Sequence, residues 1–324
     1  MRRTAGKILS LFRDQPGFLS GEAISRELNV SRTAIWKQIN ALRKEGYMIE
    51  ALPSQGYRLL SYPDILQPEE ISNGMDAGIG SKIVCLQETS STNTEAFRMA
   101  VEGSPHGTAV FAEMQHNGKG RMGRRWESPA GVNLYCSVIL RPDIMPHEAP
   151  QLTFLSSVAV ARAIRITTKL DPQIKWPNDL LLRNKKVAGL LNEMSAETDK
   201  VNFVILGIGV NLNMAEVQFP ADLRHPATSL LIENGNPVNR SAFAAVMLKE
   251  LDRLYCEFLS DGFGPVRNVW QQFCNANDRE VTVSDSGEEI VSGRFAGIDG
   301  DGALLVRRTD NVIVRILCGD VRVV

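Results

Sequence analysis

Two stretches of this chain concentrate groups able to bind and polarise an anion. The first, GKGRMGRRW over 118–126, sets Lys119, Arg121, Arg124 and Arg125 among Gly118, Gly120 and Gly123 and ends on Trp126. Glycines at such spacing allow positive φ and close backbone approach, while the cations neutralise carboxylate or phosphate. By composition alone the stretch fits a solvated loop, a nucleic-acid-binding arm or an anion clamp. It is not a P-loop, because GxxxxGK[ST] occurs nowhere in the chain. The second stretch, KWPND over 175–179, sets a cation, an aromatic ring, a rigid proline, an amide and a carboxylate in succession. It reads equally as a strand-to-turn corner, with Pro177 and Asn178 making the turn. Beyond it LLLRN leads into KKVAG, a hairpin-like return that would bring Lys186 back toward Asn178 and Asp179. A lysine beside an Asn-Asp pair suits metal-nucleotide and carboxylate handling.

Two further stretches carry polar or glycine patterns. ETSSTN at 88–93 is a hydroxyl-rich turn running into the helical TEAFRMA. There Ser91 or Asn93 could cap the helix, or the hydroxyls and free N–H groups could read a polar head group. GIGVN at 207–211 opens like a dinucleotide fingerprint, but Leu212 stands where the third glycine belongs, which disfavours a Rossmann site. Five scattered cysteines without a CxxC pair suit reduced, mostly buried thiols, and four histidines without paired spacing give no zinc pattern. No structural metal is expected.

These groups need elements to hold them. In residues 1–62, ten Lys/Arg stand against five Asp/Glu, a net +5, so the remainder of a chain of net −1 carries −6. Any charge-driven partner is therefore sought at the N-terminus. Apolar stripes at Ile8, Leu9, Leu11 and Phe12, at Ala23, Ile24 and Leu28, and at Ile35, Ile39 and Leu42 predict three helices. Ser20 and Ser31 stand at N-cap positions, Asn29 and Val30 supply a tight turn, and Gly46 ends the third helix. YMIEAL, PSQG and YRLL then read as strand, turn and strand, completing a winged helix-turn-helix. Opposite its apolar stripe the third helix presents Arg32, Thr33, Lys37, Asn40 and Lys44, a set able to read base edges and phosphates. Trp36 is expected to pack toward the wing or to touch backbone.

Past residue 63 the pattern is mixed. GVNLYCSVILR and VNFVILGIGVNLN read as buried strands, while 151–169 and 241–259 have helical periodicity. From about residue 277 short strands alternate with Gly/Asp/Ser turns, the pattern of a small β-barrel of SH3-like size. The expectation is an α+β multidomain chain: winged helix 1–62, a central mixed β-sheet with helices over 63–275, and an SH3-like barrel over 276–324. No stretch approaches 18 uninterrupted apolar residues, and the basic N-terminus is broken by charges too soon for a signal peptide or anchor, so a cytoplasmic protein without membrane association is expected.

Taken in order and spacing, SSTN, AEMQHNGKGRMGRRWESP, KWPND, KKVAG and GIGVNLN resemble the catalytic domain of biotin protein ligases, a fold of the biotin/lipoate ligase and class II synthetase type. With the winged helix the whole chain resembles the bifunctional bacterial form, biotin protein ligase and biotin operon repressor. The resemblance implies a reaction in two steps. Biotin and MgATP give biotinyl-5'-AMP and pyrophosphate, and a lysine of the biotin carboxyl carrier protein of acetyl-CoA carboxylase then takes the biotinyl group. It implies that Ser91, Thr92 and Asn93 hold the ureido head with Gln115 nearby, and that Lys119, Gly120 and Arg121 line the carboxylate and adenylate. It implies that Lys186 contacts the biotin carboxylate and α-phosphate, making Lys186 and Arg121 the catalytic pair. Asn178, Asp179, Arg124 and Trp126 would serve the nucleotide and Mg²⁺, and Gly189, Gly207 and Gly209 would allow close approach in the pocket. Operator DNA and a homodimer promoted by biotinyl-AMP are the implied partners. The usual loop of the family reads Gly-Arg-Gly-Arg-x-Gly-Arg. Here Lys119 replaces its first arginine, keeping the charge and losing the bidentate fork. A lipoate ligase would share the fold, but no GGG...HD-type stretch is present. A pure ligand-sensing regulator would not need Lys186 and the charged loop.

Overall fold

The computed structural model describes residues 2–15, 17–44, 46–61, 64–72, 78–223, 225–285 and 288–324. The chain forms two compact units, Met1–Ile65 and Leu66–Val324. The expected junction at residues 62 and 63 lies outside the described residues.

In the first unit α1 (Arg2–Asp14), α2 (Gly21–Leu28) and α3 (Arg32–Lys44) precede a hairpin of β1 (Met48–Leu52) and β2 (Gly56–Ser61). Local chemistry sets each boundary. Ser20 Oγ accepts from Ala23 N at 3.0 Å and Ser31 Oγ from Ala34 N at 3.2 Å, satisfying N–H groups that have no partner inside a helix. Asn29 turns the chain with φ 51°, a left-handed conformation its short amide tolerates, and Gly46 ends α3 with φ 96°. Ile8, Leu9, Phe12, Ile24, Ile35, Ile39 and Leu42 close a separate core with Tyr47 and Ile49.

The second unit is built on a seven-stranded sheet in the order β3-β4-β5-β9-β8-β7-β6. In chain order its elements are α4 (Pro68–Ile71), β3 (Lys82–Thr89), α5 (Thr92–Val101), β4 (Thr108–Gln115), β5 (Leu134–Leu140), α6 (Gln151–Thr168), β6 (Gln173–Lys175), β7 (Asp179–Leu182), β8 (Lys185–Ala196), β9 (Val201–Val210), α7 (Leu230–Asn234), α8 (Arg240–Asp261) and α9 (Phe263–Phe273). Only β3 and β4 pair in parallel, with α5 as their crossover, so the sheet is mixed as expected. Strand alternation splits its side chains between two faces. Cys136, Val138, Leu190, Val204 and Leu206 join the main core with α6, α8 and α9, whereas Val110, Ile139, Phe203 and Ile205 pack under Ala96 and Ala100 of α5.

The chain ends in a five-stranded antiparallel sheet of β10 (Glu280–Asp285), β11 (Glu288–Ile298), β12 (Leu304–Arg307), β13 (Ile313–Ile316) and β14 (Asp320–Val323), ordered β13-β12-β11-β10-β14. Its Val283, Phe295 and Leu304 belong to the same continuous core as the larger sheet. Trp176 Nε1 donates to Gly302 O at 3.1 Å and Gln151 Nε2 to Gly300 O at 3.0 Å, tying the turn between β11 and β12 to the β6–β7 corner and to α6. The cysteines depart in part from expectation: Cys136 and Cys274 are buried, Cys85 is half-buried, and Cys256 and Cys318 are exposed. Burial pushes the Cys274 thiol up to about 12. No helix among the described residues is long and apolar enough to cross a membrane.

One buried ion pair crosses the second unit. Arg240, fully buried, donates to Glu113 Oε2 at 2.8 Å, and Glu113 Oε1 accepts from Leu66 N at 2.7 Å. The arginine thus neutralises a carboxylate that also holds the first residue of the unit. Removing one partner of such a pair leaves the other charge without compensation, a loss of about 3–5 kcal/mol. Arg240→Leu should therefore lower the denaturant-derived unfolding free energy by about that amount. A loss below about 1 kcal/mol would show that the Glu113 charge is compensated elsewhere.

Candidate functional site

Facing strands present short rows of side chains on the α5 side of the sheet. In one row Ser137 of β5, Gly207 of β9 and Leu191 of β8 are register partners; in the next, Tyr135, Gly209, Gly189 and Asp179 follow one another across β5, β9, β8 and β7. The glycines make space for side chains arriving from outside the sheet. A Cβ at Gly207 would collide with Asn93 Oδ1, and one at Gly209 would lie 2.7 Å from Cε2 and Nε1 of Trp126. At Gly189 a Cβ would sit 3.0 Å from Trp126 and 3.3 Å from Lys186 Nζ.

Above this floor, the start of α5 forms a buried polar nest. Ser91 takes the N-cap position, but its hydroxyl makes no capping bond. Gln115 Oε1 accepts from Thr92 N at 2.8 Å and from Thr92 Oγ1 at 3.1 Å, while Gln115 Nε2 donates to Ser128 Oγ at 2.9 Å. Ser137 Oγ lies 2.8 Å from Thr92 Oγ1 and donates to Asn93 Oδ1 at 2.6 Å. Asn93 Nδ2 donates to Leu191 O at 3.2 Å and to Glu193 Oε2 at 2.8 Å. Counting donors and acceptors shows what remains for a ligand. Both amide hydrogens of Asn93 are used, leaving a lone pair on Oδ1; both lone pairs of Gln115 Oε1 are used, leaving one N–H; and Ser91 keeps its hydroxyl.

The other half of the cavity is cationic. The 118–126 stretch is a small closed hairpin: Trp126 N donates to Gly118 O at 2.8 Å and Gly120 N to Arg124 O at 2.7 Å. Its left-handed residues are Met122 and Gly123, at φ 56° and 72°. Of the three glycines, which allow positive φ or close approach, only Gly123 is left-handed. Gly118 is instead required by close approach, because a Cβ there would meet Trp126 O and Ser128 Oγ. Arg121 donates to Asn178 Oδ1 at 3.1 Å, and Asn178 Nδ2 to Leu190 O at 2.6 Å. Arg124 pairs with Asp320 of β14 at 2.7 Å, and that hydrogen bond raises the guanidinium pKa. Lys119 reaches Glu193 at 3.2 Å.

The return of β8 against β7 brings Lys186 Nζ to 2.6 Å from Asp179 Oδ1, the approach expected from the KWPND and KKVAG spacing. Asp179 Oδ1 is buried with this ammonium as its charged partner, whereas Trp126 Nε1 is a buried donor without a hydrogen-bond partner. Trp126 also lies under Lys186 Nζ, 5.3 Å from its ring centroid, a cation–π contact. The backbone of Lys186 is pinned by the 226–228 segment through Lys186 N to Pro226 O at 2.8 Å and Thr228 N to Lys186 O at 2.9 Å. Asp179 is the carboxylate of this corner that could serve magnesium together with phosphate, since the Asn178 amide oxygen accepts from Arg121 and its backbone carbonyl from Leu190 N. Among the described residues no group of three or more His, Cys, Asp or Glu forms a dedicated metal site.

One cavity of about 480 Å³ is lined by Ser91, Thr92, Asn93, Gln115, Lys119, Gly120, Arg121, Arg124, Trp126, Asn178, Asp179, Lys186, Gly189, Gly207 and Asp320, while Ser128, Ser137 and Glu193 bond to these residues from behind its wall. Ser128, Ser137, Glu193 and Asp320 were missed by sequence reasoning. Glu193 was signalled: two-residue alternation from Gly189 places Leu191 and Glu193 on the same face of β8. Nothing local marks Asp320, which is 196 residues from its partner Arg124. In the first unit, Arg32, Thr33, Lys37 and Lys44 are exposed along α3 and Asn40 is half-buried, opposite the buried Ile35, Ile39 and Leu42. Arg32 pairs with Glu22, and Trp36 is exposed.

Residues 85–211 match the Biotin/lipoate A/B protein ligase family, residues 5–58 an HTH domain and residues 278–323 the Biotin protein ligase C terminal domain. The Bifunctional ligase/repressor BirA of Bacillus spizizenii is 38% identical over 99% of both chains. The chain belongs to the biotin protein ligase family. The BirA of Escherichia coli is 32% identical over 94% of this chain and 92% of its own. The biotin protein ligase of Aquifex aeolicus, solved in complex with biotin and ATP, superposes with a TM-score of 0.64 at 28% identity, covering 75% of this chain and 98% of that one. Within this ligase fold the steric role of the glycine row is directly testable. Gly209→Ala should cost about 1–3 kcal/mol through overpacking against Trp126, and almost nothing in a Trp126→Ala background. An equal cost in both backgrounds, measured by thermal unfolding, would contradict the contact.

Proposed function

We propose that the chain is an ATP-dependent biotin ligase that activates biotin as biotinyl-5'-AMP and transfers it to a lysine of the biotin carboxyl carrier protein of acetyl-CoA carboxylase. We propose that it is also a biotin-responsive repressor of biotin synthesis genes with biotinyl-AMP as corepressor. The observation that carries the ligase reading is the union, in one cavity, of a neutral nest with few open hydrogen-bond valences and a cationic rim. A cyclic urea offers one carbonyl and two N–H groups. Asn93 Oδ1 can take an N–H, while the free Gln115 N–H and the Ser91 hydroxyl can serve the carbonyl. Thr92 orders the nest by holding Gln115. The acid end of such a ligand then falls toward Lys119, Gly120, Arg121 and Lys186.

In the first step a biotin carboxylate oxygen bonds to the α-phosphorus as the bond to the β-phosphate oxygen breaks and pyrophosphate leaves. Negative charge from both reactants must be neutralised where they meet. Lys186, held by its pinned backbone and by Trp126 below it, is the cation for that position, with Arg121 beside it. Asn178, Asp179, Arg124 and Trp126 serve the nucleotide and its Mg²⁺, and Gly189 and Gly207 leave room for the site's own side chains. In the second step a carrier lysine amine attacks the acyl carbon and AMP departs. The closed loop shields the mixed anhydride from water until then.

For repression, the exposed Arg32, Thr33, Lys37 and Lys44 and the half-buried Asn40 of α3 suit a major groove, in a unit whose sequence carries the basic excess. A homodimer favoured by bound biotinyl-AMP would present two such helices to operator DNA. The working division is a DNA-binding segment 1–62, a catalytic segment 63–275 and a C-terminal segment 276–324, in a cytoplasmic protein. Purified protein mixed with biotin and labelled ATP should form a biotin-dependent adenylate. Lys186→Ala should slow its formation about 10²–10³-fold while biotin binding stays measurable. Adenylate formation at an undiminished rate in that variant would remove Lys186 from the chemistry. For the repressor, Lys37→Ala should weaken operator binding about uniformly across sequences and reduce the salt slope by about one; an unchanged slope would exclude a phosphate contact.

A further inference from the structure

One carboxylate outside the assigned set joins the two halves of the site. Glu193 accepts from Asn93 Nδ2 through Oε2 at 2.8 Å and faces Lys119 Nζ through Oε1 at 3.2 Å. Its position follows from strand alternation, two residues beyond Leu191, whose carbonyl takes the other Asn93 amide hydrogen. We propose that Glu193 is a positioning residue for this ligase, orienting the Asn93 amide toward the ligand head with one oxygen and latching the glycine-rich loop through Lys119 with the other.

The proposal rests on the reading of the nest as a ureido site. If Asn93 flipped its amide, it would point Oδ1 at a carbonyl and a carboxylate and offer the ligand a donor in place of an acceptor. Glu193 and Leu191 O, which can only accept, forbid that flip, and Glu193 is the charged one of the two. A hydrogen bond to a charged acceptor is the stronger kind. The second arm is weaker. The Glu193 and Lys119 side chains are 32% and 43% exposed, so their attraction is screened by water and salt. Lysine at 119 suits this latch, since a point charge can follow one carboxylate oxygen whereas an arginine fork would compete for both. The two arms therefore predict different consequences for binding and for retention.

Glu193→Gln separates them, because a glutamine oxygen can still accept from Asn93 while the charge facing Lys119 is gone. With Glu193→Gln, biotin affinity measured by calorimetry without ATP should stay within about threefold of the unsubstituted protein. Its preformed adenylate should dissociate about two- to fivefold faster at low salt, a difference that vanishes near 1 M salt. Glu193→Ala should weaken biotin about tenfold or more. Unchanged biotin affinity in Glu193→Ala would overturn the orienting role, and adenylate release from Glu193→Gln that is unchanged at low salt would overturn the latch. A loss of affinity as large in Glu193→Gln as in Glu193→Ala would also overturn the division of labour. Failure of the unsubstituted protein to bind biotin would instead refute the ureido reading itself, and this proposal with it.

Discussion

A short chain of buried hydrogen bonds sets the chemistry of this molecule. From Ser128 through Gln115 and Thr92 to Ser137, Asn93 and Glu193, each side chain uses most of its capacity on another. In a low-dielectric interior an unmet polar group is costly, so a network this nearly complete holds a single arrangement. What it leaves open is small and directional: one acceptor on Asn93, one donor on Gln115, and the Ser91 hydroxyl. The rest of the catalytic unit can be understood as the means of keeping those three aligned beside a patch of positive charge.

The sheet does this through what it omits. Gly189, Gly207 and Gly209 interrupt rows that elsewhere carry bulky residues, and into the gaps come Asn93 from the start of α5 and Trp126 from the end of the loop. Trp126 in turn supports Lys186 from below. The loop is closed at its base by Trp126 N to Gly118 O and held outside by Arg124 on Asp320 of the terminal sheet. In the proposed reading, recognition of the neutral head and neutralisation of the charged end share the same floor, and Glu193 touches both halves through Asn93 and Lys119.

Much of this was legible in the sequence, for identifiable reasons. Helical periodicity over 151–169 and 241–259 marked α6 and α8 because each buries a broad apolar face against the same core. The winged helix was readable from caps and turns: Ser20, Ser31, Asn29 and Gly46 act over three or four residues. The approach of Lys186 to Asp179 was readable because both lie in one hairpin. Partnerships across long separations were hidden, such as Arg240 with Glu113 and Arg124 with Asp320, because neither member carries a local pattern. Glycine roles were only half visible. The sequence shows that freedom or space is needed at 118, 120 and 123, but only the fold shows that Gly118 gives space and Gly123 gives a left-handed turn.

In the proposed function, the open valences of the nest match a cyclic urea and nothing merely apolar. Calorimetric titration of the unsubstituted protein with biotin and, separately, with lipoate tests it most directly, since both carry an acid on an aliphatic chain and only one carries the urea. Biotin should bind and lipoate should be rejected by about 10⁴-fold or more, because lipoate would leave the Asn93, Gln115 and Ser91 groups unpaired. Comparable affinity for the two acids, or binding of lipoate alone, would contradict the account.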